Sequence, residues 1–136
     1  MREGMGLYKA KRIDTGKWVE GFLFYNTTAT HIAWYKTNGL PEVAEVDPET
    51  IGQWTGLVDK NGVKIFEGDI VRHYNKIDIG MPNEYDVGEI RWYKKGCRFD
   101  RTSNNGKGHA LIGQHCVYEV IGNIHDKAVE DHQCNN

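Results

Sequence analysis

Residues 51–71 constrain the fold of this chain more than any other segment. They read Ile-Gly-Gln-Trp-Thr-Gly-Leu-Val, then Asp-Lys-Asn-Gly, then Val-Lys-Ile-Phe-Glu-Gly-Asp-Ile-Val. Asp59 can accept hydrogen bonds from the backbone amides that follow it, and Asn61-Gly62 tolerates positive φ, so this is a tight-turn signal. Gly68 can take a backbone conformation closed to other residues, and Asp69 can cap the turn before the next strand. The segment therefore predicts two strands joined by a turn, with its acids used by the fold.

The composition favours an all-β protein. A chain of 136 residues suits one domain, or one barrel with a smaller subdomain. Four Trp, seven Tyr and four Phe are typical of pleated surfaces, and sixteen Gly against three Pro suit many tight turns. No segment has a helical period; a single turn is predicted near residues 48–51.

The first fifty residues predict an antiparallel β-meander. Residues 7–13 and 18–25 are rich in strand formers and flank Asp-Thr-Gly-Lys, which indicates a hairpin, and residues 30–35 form a third strand. Residues 36–50 contain two prolines, one glycine before them and four acids, and are predicted to be a loop. The expected organisation is a meander subdomain over 1–50 and a second subdomain over 51–136.

The strand predicted at 18–25 is apolar on both faces. Alternation places Trp18, Phe22 and Phe24 on one face. It places Val19, Leu23 and Tyr25 on the other. We expect one face to lie on the core and the other on a neighbour, which could be a second copy of the chain.

The second half predicts further strands separated by polar segments. Strands are expected at 87–93, 110–112 and 117–124, and Gly88 suggests a bulge or a close backbone approach. Residues 76–86 and 94–108 are predicted to be connections, and the polar tail from residue 126 is expected to fray.

Four stretches of the chain together resemble the YopX family of bacteriophage and prophage proteins. They are residues 51–57, Asp-Lys-Asn-Gly at 59–62, Ile-Phe-Glu-Gly-Asp-Ile-Val at 65–71 and Tyr-Glu-Val-Ile-Gly-Asn-Ile at 118–124. Tyr8-Lys-Ala followed by Gly16-Lys-Trp is similar to the family's N-terminal strand pair. The resemblance implies an SH3-like small barrel in the C-terminal part, preceded by a small β segment. It implies no activity, because the family is functionally uncharacterised.

Metal and nucleophile sites are weakly supported by residue spacing. His109 and His115 miss the close pairing of zinc ligands, and Cys116 adjoins His115 on a strand, where neighbouring side chains point to opposite faces. The same geometry argues against a Cys–His catalytic pair, and the chain has a single serine, Ser103. Three widely spaced cysteines (Cys97, Cys116 and Cys134) indicate free thiols in a reducing compartment.

Paired carboxylates at Glu67 and Asp69 could serve acid–base chemistry if desolvated, but turn capping already explains these residue types. The chain contains no phosphate-binding Gly-x-x-x-x-Gly-Lys-Ser/Thr motif. We therefore predict no catalytic residues, no metal and no cofactor.

One local basic stretch is the strongest candidate for a functional site in this sequence. Residues 91–108 carry six cations against one acid, which leaves the rest of the chain at −7 under a net charge of −2. The cations alternate with aromatic rings, as in single-stranded nucleic-acid sites, while the alternative is a solvated strand and loop whose rings point inward. The candidate residues are Arg91, Lys94, Lys95, Arg98, Arg101 and Lys107.

The sequence thus leaves two functional hypotheses. The first is a non-enzymatic phage accessory protein that binds a protein partner or itself; the second is a nucleic-acid binder using residues 91–108. No apolar run approaches the roughly 20 residues of a membrane span, and no signal peptide is recognised, so a bacterial cytoplasmic location is expected.

Overall fold

The computed structural model describes residues 7–75, 86–102, 109–112 and 116–126, which form antiparallel β-strands and two single 3₁₀ turns. The all-β prediction is confirmed. The strands are β1 (Leu7–Lys11), β2 (Trp18–Tyr25), β3 (Thr30–Tyr35), β4 (Pro41–Glu45), β5 (Gly52–Val58), β6 (Lys64–Phe66), β7 (Asp69–Asn75), β8 (Asp86–Tyr93), β9 (Arg98–Thr102), β10 (His109–Leu111) and β11 (Cys116–Asn123). The 3₁₀ turns are Pro48–Thr50, at the predicted turn, and Lys94–Gly96.

The chain divides into two compact units, Met1–Gly56 and Leu57–Asn136. One sheet has the order β4-β3-β2-β1-β5-β6, and the division falls within β5; the other has the order β10-β9-β8-β7-β11. Neither sheet closes into a barrel through strand pairing of the described residues.

The N-terminal unit is a curled meander with its core on one face. Ala10, Ile32 and Val46 are fully buried, and Val19 and Leu23 pack against them. An isolated bridge joins Arg12 to Val46, and the amide of Asp47 donates to the carbonyl of Lys11 at 2.8 Å. The chain after β4 therefore meets the end of β1, which bends the sheet around its small core.

The prediction of a loop over residues 36–50 is wrong in its middle, where β4 pairs antiparallel with β3. Proline is tolerated as the first residue of an edge strand, because its missing N–H then faces away from the ladder. Pro41 occupies that position, opposite Tyr35. Pro48 lies outside the strand, at the start of the 3₁₀ turn that Asp47 caps by accepting from the amide of Glu49 at 3.0 Å.

The C-terminal unit has its own core. Ile65, Val71, Ile90 and Tyr118 are buried together, and partly buried side chains, Phe99 among them, pack against this cluster. Strand β9 runs through the segment 94–108, so the prediction of a connection there is wrong for Arg98–Thr102. This charged segment is a strand because it pairs with β8.

The close approach predicted at Gly88 is confirmed. A Cβ atom there would lie 2.0 Å from the carbonyl oxygen of Thr102 and 2.9 Å from Cγ of Arg101. Only a residue without a side chain lets β8 and β9 come this close.

The two acids predicted to serve turns do so. Asp59 accepts from the amides of Asn61 at 2.8 Å and Val63 at 2.9 Å. Asp69 is fully buried, and its oxygens accept from the amide of Phe66 at 2.8 Å and from Nδ2 of Asn123 at 2.9 Å.

Candidate interaction surfaces

The face of the N-terminal sheet opposite its core carries a row of apolar side chains. Leu7 pairs with Phe22, Phe22 with Ala33, and Ala33 with Val43, so the row crosses four strands. Directly opposed residues in an antiparallel sheet have side chains on the same face, about 5 Å apart. We call this surface the outer face; its members are Leu7, Phe22, Phe24, Ala33, Tyr35 and Val43.

Large parts of the outer face are open to solvent. Phe22 is 51% exposed, Val43 49% and Tyr35 72%. Phe24 stacks on His31 with ring centroids 5.2 Å apart and an interplanar angle of 14°. Nδ1 of His31 is buried and has no hydrogen-bond partner among the described residues. The stacked pair thus extends the apolar character of the face over a histidine ring.

At one corner of the same face, two lysines lie over an aromatic ring. The ammonium groups of Lys9 and Lys11 lie 4.7 Å and 5.4 Å from the ring centroid of Trp18. Cations over an aromatic face gain about 0.5–1 kcal/mol when exposed. Trp18 lies on the same face as Phe22 and Phe24, as predicted, and its ring is the base of a cation–π cluster.

The edge of β4 offers little room for an added strand. Pro41 has no N–H to donate, and the carbonyl of Glu45 already accepts from the amide of Ile13 at 3.0 Å. Proline and short length are two of the devices that stop edge-to-edge pairing.

The edge of β11 is also occupied. The amide of Lys60 donates to the carbonyl of Tyr118 at 2.9 Å, and Oδ2 of Asp59 accepts from the amide of Val120 at 2.9 Å. The turn that follows β5 thus takes the place of a strand partner along this part of β11.

The basic stretch is divided by ion pairs. Nη1 of Arg101 contacts Asp86 at 2.9 Å with the arginine side chain 9% exposed, and Nε of Arg98 contacts Asp100 at 2.8 Å. Nη2 of Arg91, on an exposed side chain, contacts Glu89 at 3.1 Å. The hydrogen bond to Asp100 raises the pKa of Arg98. Much of the positive charge counted in the sequence is therefore balanced locally.

Two exposed cations remain at the tip between β8 and β9. Lys94 and Lys95 form the 3₁₀ turn there and make no ion pair with the described residues. Trp92 is 48% exposed and meets Phe99 edge-on, with centroids 5.1 Å apart. The guanidinium of Arg98 lies 5.1 Å from the ring of Tyr93. Lys107 lies outside the described residues.

The remaining sequence candidates form no site in the described part of the chain. Groups of three or more metal-binding side chains are absent from it. His115 and Cys134 lie outside it, as do the side chains of His109 and Cys116; Cys97 is an exposed free thiol. Within the same residues, no helix is long and apolar enough to cross a membrane.

Sequence reasoning identified Phe22 and Phe24 but missed Leu7, Ala33, Tyr35 and Val43 as parts of one surface. Their connection depends on strand register, which alternation within a single strand does not reveal. The signal that could have found Val43 is the group of apolar residues Val43, Ala44 and Val46, which the neighbouring prolines obscured.

The described residues thus form an all-β protein with two antiparallel sheets, two small cores and an exposed apolar sheet face. A family model described as YopX protein matches residues 8–129, and the chain belongs to the YopX family. Comparisons with curated proteins and with solved structures give no match.

Proposed function

We propose that this protein is a phage- or prophage-encoded accessory protein that acts in the bacterial cytoplasm as a non-enzymatic protein-interaction or self-assembly module. The observation that carries the proposal is the outer face, where an apolar row crosses four strands and stays open to solvent. Contiguous exposed apolar surface in a small protein marks a binding site, whereas isolated exposed side chains do not.

The proposal favours packing on a sheet face over strand addition at an edge. Strand β4 begins with Pro41, and the carbonyl of its last residue, Glu45, accepts a hydrogen bond from Ile13, which follows β1. The middle of β11 is covered by Asp59 and Lys60. A partner therefore gains more by covering Phe22 and its neighbours than by adding a strand at β4 or along the middle of β11.

The hydrogen bonds made by Asp59 and Asp69 support a binding role over a catalytic one. Asp69 uses both oxygens in hydrogen bonds to Phe66 and Asn123 inside the fold. Asp59 likewise uses both oxygens, on three backbone amides. Carboxylates committed in this way are poor acids or bases for a substrate.

Affinity purification of the tagged protein from infected cells, with and without nuclease, combined with light scattering after size exclusion, tests the proposal. Phe22→Lys should abolish association, since it places a charge at the centre of the row. Val63→Lys is the matched control, because Val63 is similarly exposed, at 49%, but lies in the C-terminal unit. A strict monomer that captures no protein, or equal loss in both variants, would refute the role of the outer face.

A second candidate, nucleic-acid binding, is favoured by one observation. Lys94 and Lys95 are exposed beside Trp92, which combines cations for phosphate with a ring for stacking. Binding should weaken steeply as salt rises, and the double change of Lys94 and Lys95 to alanine should lower the slope of log K against log salt by about 2. Affinity unaffected by salt excludes this candidate.

We also infer that the C-terminal unit is an SH3-like small barrel in its overall plan. The support is that the turn at Asp59 and Lys60 hydrogen-bonds along the edge of β11, where a closing strand would lie. Hydrogen exchange provides the test: the amides of Lys60 and Val120 should be protected as strongly as those of β7. Exchange at the rate of an exposed turn would argue for an open sheet.

A further inference from the structure

Four charged side chains lie on the same side of the N-terminal sheet as the outer face. They are Lys9, Lys11, Glu20 and Glu45, because each lies an even number of residues along its strand from a member of the outer face. Two lysines and two glutamates give this side of strands β1–β4 a formal charge of zero. A sheet face with a large net charge would repel its own copy, whereas a balanced face does not.

Unlike charges lie at diagonally opposite corners of this side of the sheet. Lys11 is the last residue of β1 and pairs with the first residue of β2. Glu45 is the last residue of β4, three strands away, and lies level with Phe24 near the other end of β2. Lys11 and Glu45 are therefore about 14 Å apart across the strands and about 20 Å apart along them. Neither side chain makes an ion pair with a residue that the structure describes.

A face with this charge pattern is complementary to itself. In a two-fold dimer both copies use the same surface, so a residue that meets a second residue of the other copy is met by it in return. A two-fold axis that passes close to Phe22, perpendicular to the Lys11–Glu45 diagonal, brings Lys11 of each copy over Glu45 of the other. Both side chains are long enough to meet between sheets packed about 10 Å apart. One dimer would contain this pair twice, on either side of the packed apolar rows.

The size of the face fits a weak dimer. The four strands span three spacings of about 4.8 Å, and the 8 residues of β2 rise by about 3.3 Å each, which gives a footprint of about 14 Å by 26 Å. Two such faces bury on the order of 1,000 Å² in total, at the low end of specific protein interfaces. We therefore expect a concentration-dependent dimer with a Kd of about 10–100 µM.

We propose that the outer face is covered by a second copy of this chain, packed face to face about a two-fold axis with Lys11 against Glu45. The inference rests on the proposed function and names the partner of its binding surface. A nucleic acid fits the face less well, because Glu20 and Glu45 would repel its phosphates. A strongly charged protein would meet two like charges for every two unlike ones, whereas a second copy brings the unlike corners together.

Sedimentation velocity of the purified, unmodified chain tests the self-association over a range of about 1 µM to 1 mM. The mass should rise from monomer to dimer and stop there, because a two-fold interface is closed. Amide chemical shifts of the ¹⁵N-labelled protein should change on dilution within β1–β4 and stay constant in β7–β9. Phe22→Lys should remain monomeric, and Val63→Lys should associate as the unmodified protein does.

A charge exchange tests the pairing of the two corners. Lys11→Glu should weaken the dimer about tenfold, and so should Glu45→Lys, because each change sets like charges against each other at both copies of the pair. The double variant restores an unlike pair and should return the Kd to within about twofold of the unmodified value. Lys17→Glu and Glu49→Lys are the matched controls, since they make the same charge changes at exposed residues outside the strands and should alter the Kd less than twofold.

The outcomes separate this inference from the proposed function. A purified protein that stays monomeric at about 1 mM overturns the inference. If the tagged chain still captures a protein from infected cells through Phe22, the proposed function stands; if capture is lost as well, both fail. A double variant as weak as the single ones overturns the two-fold pairing, and a single-stranded oligonucleotide whose binding requires Phe22 identifies a different occupant. The dilution measurements use the unmodified protein, so they decide the question even where a variant fails to fold.

Discussion

Oδ2 of Asp59 accepts a hydrogen bond from the backbone N–H of Val120 at 2.9 Å, across 61 residues of sequence. Its other oxygen accepts from the amides of Asn61 and Val63, inside its own turn. One side chain therefore closes the turn after β5 and covers part of the edge of β11. The acid that the sequence assigned to the turn is therefore also a structural link within the C-terminal unit.

Asp59→Asn should lower the free energy of unfolding by about 2 kcal/mol, because an amide nitrogen then faces a backbone N–H and one buried donor is left unsatisfied. Urea denaturation should show a lower midpoint with an unchanged slope. Asp14→Asn is the control, since Asp14 pairs with Arg12 at an exposed surface and its loss should leave the midpoint unchanged. Equal midpoints for Asp59→Asn and the unmodified protein would contradict the structural role.

The same carboxylate predicts a pH dependence. Burial alone would raise the pKa of Asp59, but the backbone amides of Val120, Val63 and Asn61 outweigh it and lower the pKa. Because the folded value lies below the unfolded one, the stabilisation is present above the unfolded pKa, about 4, and is lost as pH falls through the folded pKa. The midpoint difference between the unmodified protein and Asp59→Asn should shrink below about pH 4. A difference that stays constant to pH 2 would contradict this assignment.

Gly88→Ala should cost about 3 kcal/mol, since the added Cβ would overlap the carbonyl of Thr102, a backbone atom that can move only with β9. Gly122→Ala offers a graded control: its Cβ would lie 3.3 Å from a carboxylate oxygen of Asp126, which can shift. Thermal unfolding of the two variants should place Gly88→Ala well below Gly122→Ala. The reverse order would refute the close approach of β8 and β9.

Breaking an ion pair of the basic stretch should cost more stability where the arginine is buried than where it is exposed. Asp86→Asn leaves the buried guanidinium of Arg101 without a carboxylate partner and should cost about 2 kcal/mol, reduced from the fully buried case because Asp86 is 32% exposed. Arg91→Ala, on a side chain that is 62% exposed, should cost less than about 1 kcal/mol. Chemical denaturation distinguishes these outcomes, and similar losses in both variants would show that the Asp86–Arg101 pair is not a structural element.

The sequence predicted local features well where one segment contains the whole cause. The turn at Asp59–Gly62 and the cap at Asp69 each follow from the conformational limits of a few neighbouring residues. Gly88 was recognised from its missing side chain, but the strand that approaches it was not. Strand β2 and its two apolar faces were also predicted, since alternation is a property of one strand.

The sequence did not predict the features that depend on strand pairing or on ion pairs. Strand β4 was predicted as a loop because of Pro41, whose tolerance depends on its being first in an edge strand. Strand β9 has a charged sequence, and its strand state comes from β8 beside it. The ion pairs of Arg98 and Arg101 reduced the basic stretch to Lys94 and Lys95 as its exposed cations without an ion pair in the described chain.

The sequence alone determined that this is an all-β member of a recognisable family, because turn residues and strand alternation act over a few neighbouring positions. Tertiary structure alone decided where its surfaces lie. Leu7, Phe22, Ala33 and Val43 form one row only when four strands adopt a common register. Asp59 meets Val120 only when β11 returns beside the turn. Both depend on long-range backbone pairing, which a one-dimensional pattern does not specify.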